Sequence, residues 1–599
     1  MGVASQAEDA PVKTPSPDWP NTNTEHGMLV AFGEFFQQHG LLDLLHHVPI
    51  KQKTHEFTPQ AKLIEFLAGI MGGIEHLQDI NYGPRPLAPD KVVAHAWGLE
   101  GFAHPTTVGR TLAVSDADTV RAVEAAVAAF SRPFIDTAVH EEVRRGRRLV
   151  FDLDLTGQAV SSTSITYPEA TFGWMNDQVR LGYQLARVCL SPVQGDRIWL
   201  AGFHHPGDTV SAACLKELIQ AAETQAGGRP RRRPELVDHR IAEQQTAIER
   251  TRRLAHQQQD KLQHLQSAHA EVIGKQYHAE QLLKGRISRE KRGRLRTQVK
   301  SWHKRTPRLV EQIVHAQRVT AKHQAWLLQQ EAEMEALRSG QVQLAADNQA
   351  NPNAPDIEAR MDAGFASGDN LTWLLEMGYA LNTKAPNART TDALRAQLPR
   401  AATWTRVGDN AEMILIGEHY LRGCPYPLTV AVERFKVGRR FKDACLVRDG
   451  SPPPLAEWFA NYNQRQTIEA GNKEMKGPFF VHNLMSRSPA GIQLQVVLTG
   501  LAANAVRWCQ PWLRACAAAP TPSVSRTLAS PKALIRVAAN STALVQRTVH
   551  GTSVLFGPRS ALPGAAFTLH GVPAFQRPLG FHRPLKIASD STKPALNAH

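Results

Sequence analysis

Residues 231 to about 345 carry almost no strand-forming pattern and are rich in Gln, Arg, His and Glu. Such a stretch cannot contribute a half-buried strand, which needs apolar residues at alternate positions. Its sparse apolar residues recur at helical spacing instead. Ile241, Ile248, Leu262, Leu265 and Val272 mark one helix; Leu309, Ile313, Ala316, Leu327, Met334 and Leu337 mark a second. Thr306 followed by Pro307 reads as the start of that second helix, an N-cap and then proline in the first turn. Between the two stripes, residues 284–308 hold eleven Lys or Arg against one Glu. The pattern predicts a long antiparallel helical hairpin over 231–345 with a basic far end. Any sheet in this chain must then be assembled from two segments that the hairpin separates.

Both flanking segments carry strand pattern. In "RRLVFDLDLTGQAV", Leu149, Val150, Phe151, Leu153 and Leu155 make a strand with Asp152 and Asp154 set into it. Positions i and i+2 share a face of a strand, so both carboxylates point the same way. "RIWLAGFHHPGD" reads as a later strand, followed by an amphipathic helix at "VSAACLKELIQAAE". Beyond the hairpin, "ARMDAGF" ends a short strand at Asp362, and "AEMILIGEHYL", "LTVAVERFKV" and "DACLVRDG" are further strands.

The organisation expected is a disordered tail over 1–27, Pro, Ser, Asn and Thr rich; a helical region over 28–145; a catalytic core over 146–230 and 346–515, with a β-rich insertion at 385–452; the hairpin; and a basic region over 516–599. In the helical region, "HPTTVGRTL" starts a short polar helix with Thr106, Thr107 and Arg110. It reads either as an element for a DNA groove or as a capped helix beginning on the surface. Hydrophobic content of 42% and charged content of 21% place the chain among soluble globular proteins. The net charge of +14 suits a polyanionic partner, most often nucleic acid, or simple solubility. Cys189, Cys214, Cys424, Cys445, Cys509 and Cys516 form no CxxC, so neither a zinc ribbon nor a disulfide framework is indicated. No apolar core for export and no run of about 18 apolar residues stands out, so no membrane span is expected and the cytoplasm, on the nucleoid, is the expected location.

"YNQRQTIEAGNKEMK", residues 462–476, carries the chemistry. On a helix turning roughly 100° per residue, Tyr462, Arg465, Glu469 and Lys476 project within about 60° of one another. A solvated face does this too, but solvated stripes alternate Glu with Lys at i, i+4. This one holds a single acid among cations and a phenol, as a site does when it grips a metal and a phosphate together. Three acids then stand out in chain order: Asp154, or Asp152, on a strand; Asp362 at a strand end; Glu469 on a helix. Strand, strand, helix is how an RNase H-like mixed sheet gathers three carboxylates, giving an α/β fold class. Hard oxygen ligands mean Mg²⁺ or Mn²⁺. Cations of the Glu469 helix, Arg465, Lys473 and Lys476, with Tyr462, would bind phosphates, and Arg289, Arg292, Arg294 and Arg296 of the hairpin would contact phosphate further out.

The sequence resembles the DDE transposases of bacterial insertion sequences, in the group with a Tyr-x2-Arg-x3-Glu-x6-Lys signature. Tyr462, Arg465, Glu469 and Lys476 match that spacing at every position; "DLDLTG" and "RMDAGF" are similar to the two aspartate motifs, and "HHPGDTVSA" and "HPTTVGRTL" also resemble family segments. The likeness covers roughly residues 28–230 and 350–560. It favours Asp154 over Asp152. It implies a cut-and-paste enzyme that uses two Mg²⁺ ions, with Mn²⁺ able to substitute, to cleave double-stranded DNA at terminal inverted repeats and join the 3′ ends to target DNA, as a homodimer in the synaptic complex. Some relatives flip a base onto an aromatic; Trp404, in the inserted strands, is placed for this or for core packing. The 208 residues between Asp154 and Asp362 depart from better-known relatives. Rival readings are an RNase H-like nuclease without strand transfer and a host-retained inactive DNA-binding derivative.

Overall fold

The computed structural model describes residues 22–569, apart from 55, 164, 165, 176, 400, 439, 519, 520, 549, 550 and 561. Most of the tail expected over 1–27 and the last thirty residues of the basic C-terminal region lie outside the described residues. The chain is mixed α/β and divides into two compact units. One comprises Met1–Ala126, Pro478–Phe480 and Ala505–His599, the other Val127–Gly477 and Val481–Asn504.

The first described element of this unit is strand β1 (Thr22–Thr24), which lies inside the stretch expected to be tail. Helices α1 (Gly27–Gln38), α2 (Leu41–His46), α3 (Pro59–Met71), α4 (Asp79–Tyr82), α5 (Lys91–Ala96) and α6 (Pro105–Val114) follow. Helix α3 starts where its sequence says it should: the Thr58 side chain accepts from the Ala61 N–H and Pro59 occupies the first turn. Helix α6 has a comparable start, with His104 capping the Thr106 N–H and Pro105 behind it. The helix is capped and starts on the surface, with Thr106 and Arg110 exposed. Helix α7 (Ala117–Arg144) leads into the second unit.

The second unit is built on one sheet drawn from both sides of the hairpin. Strands β2 (Leu149–Ala159), β3 (Thr171–Met175), β4 (Gln178–Leu190) and β5 (Ile198–Pro206) come first, then helix α8 (Ser211–Ala226). The hairpin helices α9 (Pro234–Lys284) and α10 (Arg289–Ala350) intervene. Strand β6 (Ile357–Arg360), helix α11 (Gly368–Glu376), strand β7 (Ala380–Lys384) and helix α12 (Ala388–Arg395) resume the core. The strand order is β3-β4-β2-β6-β7-β11-β10-β9-β8, with β5 also paired to β4, where β8 is Thr405–Arg406, β9 Ala411–Tyr420, β10 Pro427–Val437 and β11 Arg440–Arg448. Strand β2 runs antiparallel to β4 and parallel to β6, and β6 runs parallel to β7. All four residues of β6 are buried, as a central parallel strand covered on both faces requires. The strands β9 to β11, within the segment expected as a β-rich insertion, continue this sheet, with β11 paired antiparallel to β7.

The hairpin is antiparallel along its length: Gln244 Nε2 donates to the Gln330 carbonyl at 3.0 Å and Gln341 Nε2 to Asp238 Oδ1 at 2.6 Å. At 51 and 62 residues, its helices are about 75 and 90 Å long. Its root is tied down by Arg232, a buried cation that donates to Glu223 at 2.8 Å and to the Met377 carbonyl at 3.0 Å. The second helix does not start at Thr306. Ser288 caps it earlier, accepting from the Lys291 N–H at 3.3 Å, and Pro307 lies inside α10. Thr-Pro is a helix-start pair only when no earlier cap has nucleated the helix. Here Pro307 deletes one bond from a ladder held from both sides, and the Thr306 hydroxyl donates to the Trp302 carbonyl at 3.0 Å. The basic segment is thus mostly the first turns of α10 rather than a connection.

Helices α13 (Leu455–Asn463) and α14 (Gln466–Lys476) follow β11, and α15 (Pro489–Cys516) follows them. By length and composition α15 is apolar enough to cross a membrane, and 72% of its most apolar window is buried inside the structure. Strand β12 (Ala517–Ala518), helices α16 (Pro522–Leu528) and α17 (Pro531–Ala533), and strands β13 (Ala543–Thr548), β14 (Gly551–Phe556) and β15 (Ala566–Leu569) complete the described chain. They form a small sheet in the order β1-β13-β14-β15-β12. All six cysteines are free thiols, five of them buried.

Candidate active site

The two strand acids occupy the same face of β2 but have different fates. Asp152 is fully buried. It accepts from Arg360 Nε at 2.5 Å, Arg360 Nη2 at 2.8 Å and Ser191 Oγ at 2.6 Å. Arg360 also donates to the Asn461 carbonyl at 2.6 Å, so this bidentate pair fastens α13 to the sheet. Asp152 is saturated by structural partners. Asp154, two residues on, reaches the next helix: it accepts from Asn472 Nδ2 at 2.5 Å and from Arg465 Nη1 at 3.3 Å. Burial pushes the Asp154 carboxyl up to about 6; Arg465 opposes this, while Asp362 and Glu469 add to it.

The helix bearing the Tyr-Arg-Glu-Lys pattern is not one continuous element. It breaks between α13 and α14, where the Arg465 N–H bonds the Tyr462 carbonyl and the Ile468 N–H bonds the Arg465 carbonyl, a tighter i→i+3 winding. The four side chains therefore do not form a single exposed stripe. Tyr462 turns into the core with Met413, Ala431, Leu446 and Trp458, and its hydroxyl donates to the Met361 carbonyl at 3.4 Å. Arg465 and Glu469 face one another at 2.8 Å. Lys476 points back to the sheet, donating to Thr156 Oγ1 at 2.7 Å, and Lys473 is exposed.

A cleft of about 270 Å³ is lined by Asp362, Gly364, Lys384, Tyr462, Arg465 and Glu469, among others. Asp362 lies just beyond β6, where its side chain caps a single turn by accepting from the Gly364 N–H at 2.9 Å. Asp154 is not on the cleft wall but touches Arg465, which is. Arg465 thus bridges two of the three predicted acids, at 3.3 Å from Asp154 and 2.8 Å from Glu469. Among the described residues no three carboxylate, imidazole or thiolate side chains converge closely enough to enclose a metal ion. The donor set nevertheless suits a small hard cation. It consists of carboxylate oxygens, and Asp154 is crowded by two like charges in a buried setting, a burden that a divalent ion would relieve.

Several polar partners of the site escape the sequence reading. Asn472, three residues after Glu469, joins Asp154 to buried Arg187. Gly471 lets α14 lie this close to β5: a Cβ there would stand 2.8 Å from the Trp199 ring. Lys384, at the end of β7, brings its ammonium to the cleft and pairs with buried Glu433 at 2.6 Å. The only signal for Asn472 was its place in the quoted stretch; Lys384 and Glu433 had none. Trp404 is half-buried and stacked, with the Arg434 guanidinium 4.0 Å from its ring centroid, rather than packed in the core.

At the hairpin end, Arg289, Arg294 and Arg296 are exposed, and Arg294 pairs with Glu290. Arg292 is partly buried and donates to the Gly285 carbonyl at 3.3 Å, bracing the turn. No protein-family model and no curated protein matches the chain.

Proposed function

We propose that this protein is a metal-dependent DNA transposase of the insertion-sequence type. One observation carries the reading: Asp362, Arg465 and Glu469 line one cleft and Asp154 joins them through Arg465, although up to 315 positions separate these residues in the chain. The sheet offers an acid on a central strand, an acid just past the adjacent parallel strand and an acid on a covering helix, which supports reading the core as RNase H-like.

On this reading Asp154, Asp362 and Glu469 hold divalent cations. When bound, two Mg²⁺ or Mn²⁺ ions would supply activation of the attacking oxygen and stabilisation of the leaving oxygen at a phosphodiester. The chain's own residues do the rest. Arg465 is a five-donor fork suited to a phosphate; it exchanges its carboxylate partners for the substrate, freeing both acids. Lys384 adds positive charge on the cleft wall, and exposed Lys473 adds it on α14. Asp152 with Arg360 keeps the helix–sheet junction rigid and takes no part in chemistry. The exposed arginines of the hairpin end hold double-stranded DNA by its phosphates, without reading sequence.

The test is incubation of the protein with DNA carrying its element's own ends and a target duplex, with and without Mg²⁺. Joined products that require Mg²⁺ support transposition. Cleavage without joining would reassign the protein as a nuclease, and neither product would remove the proposal.

A further inference from the structure

A second cation stands behind Asp154. Arg187 lies on β4 directly across the ladder from Asp154 and is fully buried. Its Nη1 donates to Asn472 Oδ1 at 2.8 Å and lies 3.0 Å from the Met475 sulfur. Its Nε and Nη2 are buried without a hydrogen-bond partner. Its guanidinium stands 5.3 Å from the centroid of the Trp199 ring. A buried guanidinium with unmet donors is costly to keep. The neighbouring strand acid Asp152 shows the cheaper solution, a bidentate pair with Arg360. Arg187 instead makes its one oxygen contact with an amide.

Arginine only donates, so Asn472 must present its carbonyl oxygen to Arg187. Its amide N–H₂ is then committed to the other side, where Asp154 Oδ2 accepts it at 2.5 Å. The buried cation thereby sets the amide, and the amide sets the carboxylate rotamer, leaving Oδ1 toward Arg465 and the cleft. Arg465 can leave for a substrate phosphate because it is on the cleft wall; Arg187 is fully buried and does not line the cleft. We infer that Arg187 and Asn472 are positioning residues that hold Asp154 in its metal-accepting orientation and keep a fixed positive charge behind it when Arg465 turns to substrate. The inference rests on the reading of Asp154 as a metal-holding acid.

The experiment uses the full chain and Mn²⁺ as probe. Mn²⁺ binding is titrated by electron paramagnetic resonance, and DNA cleavage is measured across Mn²⁺ concentrations, for wild type, Asn472→Ala, Arg187→Met and the double variant. Each single variant is expected to raise both the Mn²⁺ dissociation constant and the half-saturating Mn²⁺ concentration at least tenfold, with the rate at saturating Mn²⁺ within about threefold of wild type. The double variant should be no worse than the poorer single one, because both residues act through one carboxylate. A purely structural role behaves differently: loss of folded protein lowers the rate at every Mn²⁺ concentration and leaves half-saturation where it was, and that result overturns the inference. Wild type that neither binds Mn²⁺ nor cleaves overturns the metal reading itself, and the inference with it.

Discussion

The cleft and the hairpin end are both rich in charge, yet they use it in opposite ways. Of the charges predicted for the site, every one except Lys473 has a named partner: Asp154 with Arg465 and Asn472, Asp362 with the Gly364 N–H, Glu469 with Arg465, Lys476 with Thr156. Most of these groups are partly or wholly desolvated, so each interaction is strong and each geometry particular. At the hairpin end three of the four arginines are exposed, and the one ion pair among them, Arg294 with Glu290, is a surface pair of neighbouring turns. Water and salt screen such charges, and they act by their sum. On the proposed reading, the site for chemistry and the site for holding DNA differ in what each charge is already bonded to.

The sharpest way to break the comparison is to delete single charges in the cleft. Asp154→Ala, Asp362→Ala and Glu469→Ala should each lower Mg²⁺-dependent cleavage by at least about a thousandfold, more than about 4 kcal/mol of transition-state stabilisation, with binding of DNA ends nearly unchanged by gel shift. Glu469→Ala cutting at the wild-type rate would mean that the site is misassigned.

Next in size is Asp152→Ala. It leaves Arg360 charged and buried without its carboxylate, so unfolding stability should fall by about 3–5 kcal/mol in denaturant titration. A drop below about 1 kcal/mol would show that Asp152 is not the structural member of the pair.

Asp154 should behave the other way. Its folded carboxyl titrates near 6 against an ordinary value of 3.8, so the native state binds the proton more tightly than the unfolded chain. The charge therefore costs stability, absent below about pH 4, growing as pH rises and complete above about pH 6. Asp154→Asn should be more stable than wild type by about 2–3 kcal/mol at pH 7 in metal-free buffer, and the gain should vanish toward pH 4. Equal melting temperatures at pH 7 would mean that Asp154 carries no such burden.

The smallest effect per residue belongs to the hairpin. Arg289→Gln, Arg294→Gln and Arg296→Gln together should flatten the slope of log affinity against log salt by roughly 2–3, about 0.9 for each phosphate that is no longer neutralised. The fold should survive, since Gln keeps helix propensity. Arg292→Gln alone should leave that slope nearly unchanged and instead loosen the turn that it braces. An unaltered slope in the triple variant would remove the DNA role for this arm.

Much of this was legible in the chain. Helical spacing from Ile241 to Leu337 showed the hairpin because the 3.6-residue period is a property of neighbours in sequence. The alternation around Phe151 and Leu153 showed a core strand for the same reason, and the surplus of Lys and Arg in residues 284–308 needed only counting. The spacing of Arg465 and Glu469, one helical turn apart, already placed them side by side. Where a cap competes with a cap, as Ser288 does with Thr306, the nearer neighbours mislead, because which one starts the helix depends on what the whole helix packs against.

What tertiary structure alone decided is the partner of each charge. Asp152 and Asp154 are indistinguishable by strand period, since both lie on one face. They differ because Arg360, 208 positions away, reaches one, while Asn472, 318 positions away, reaches the other. Tyr462 lay on the predicted polar stripe and ended in the core because the helix tightens at Arg465 and strands β9 to β11 bring an apolar wall against it. Composition and period describe what a residue can do with its neighbours in the chain. Burial and long-range contact set which carboxylate is neutralised, which is strained, and which remains available for chemistry.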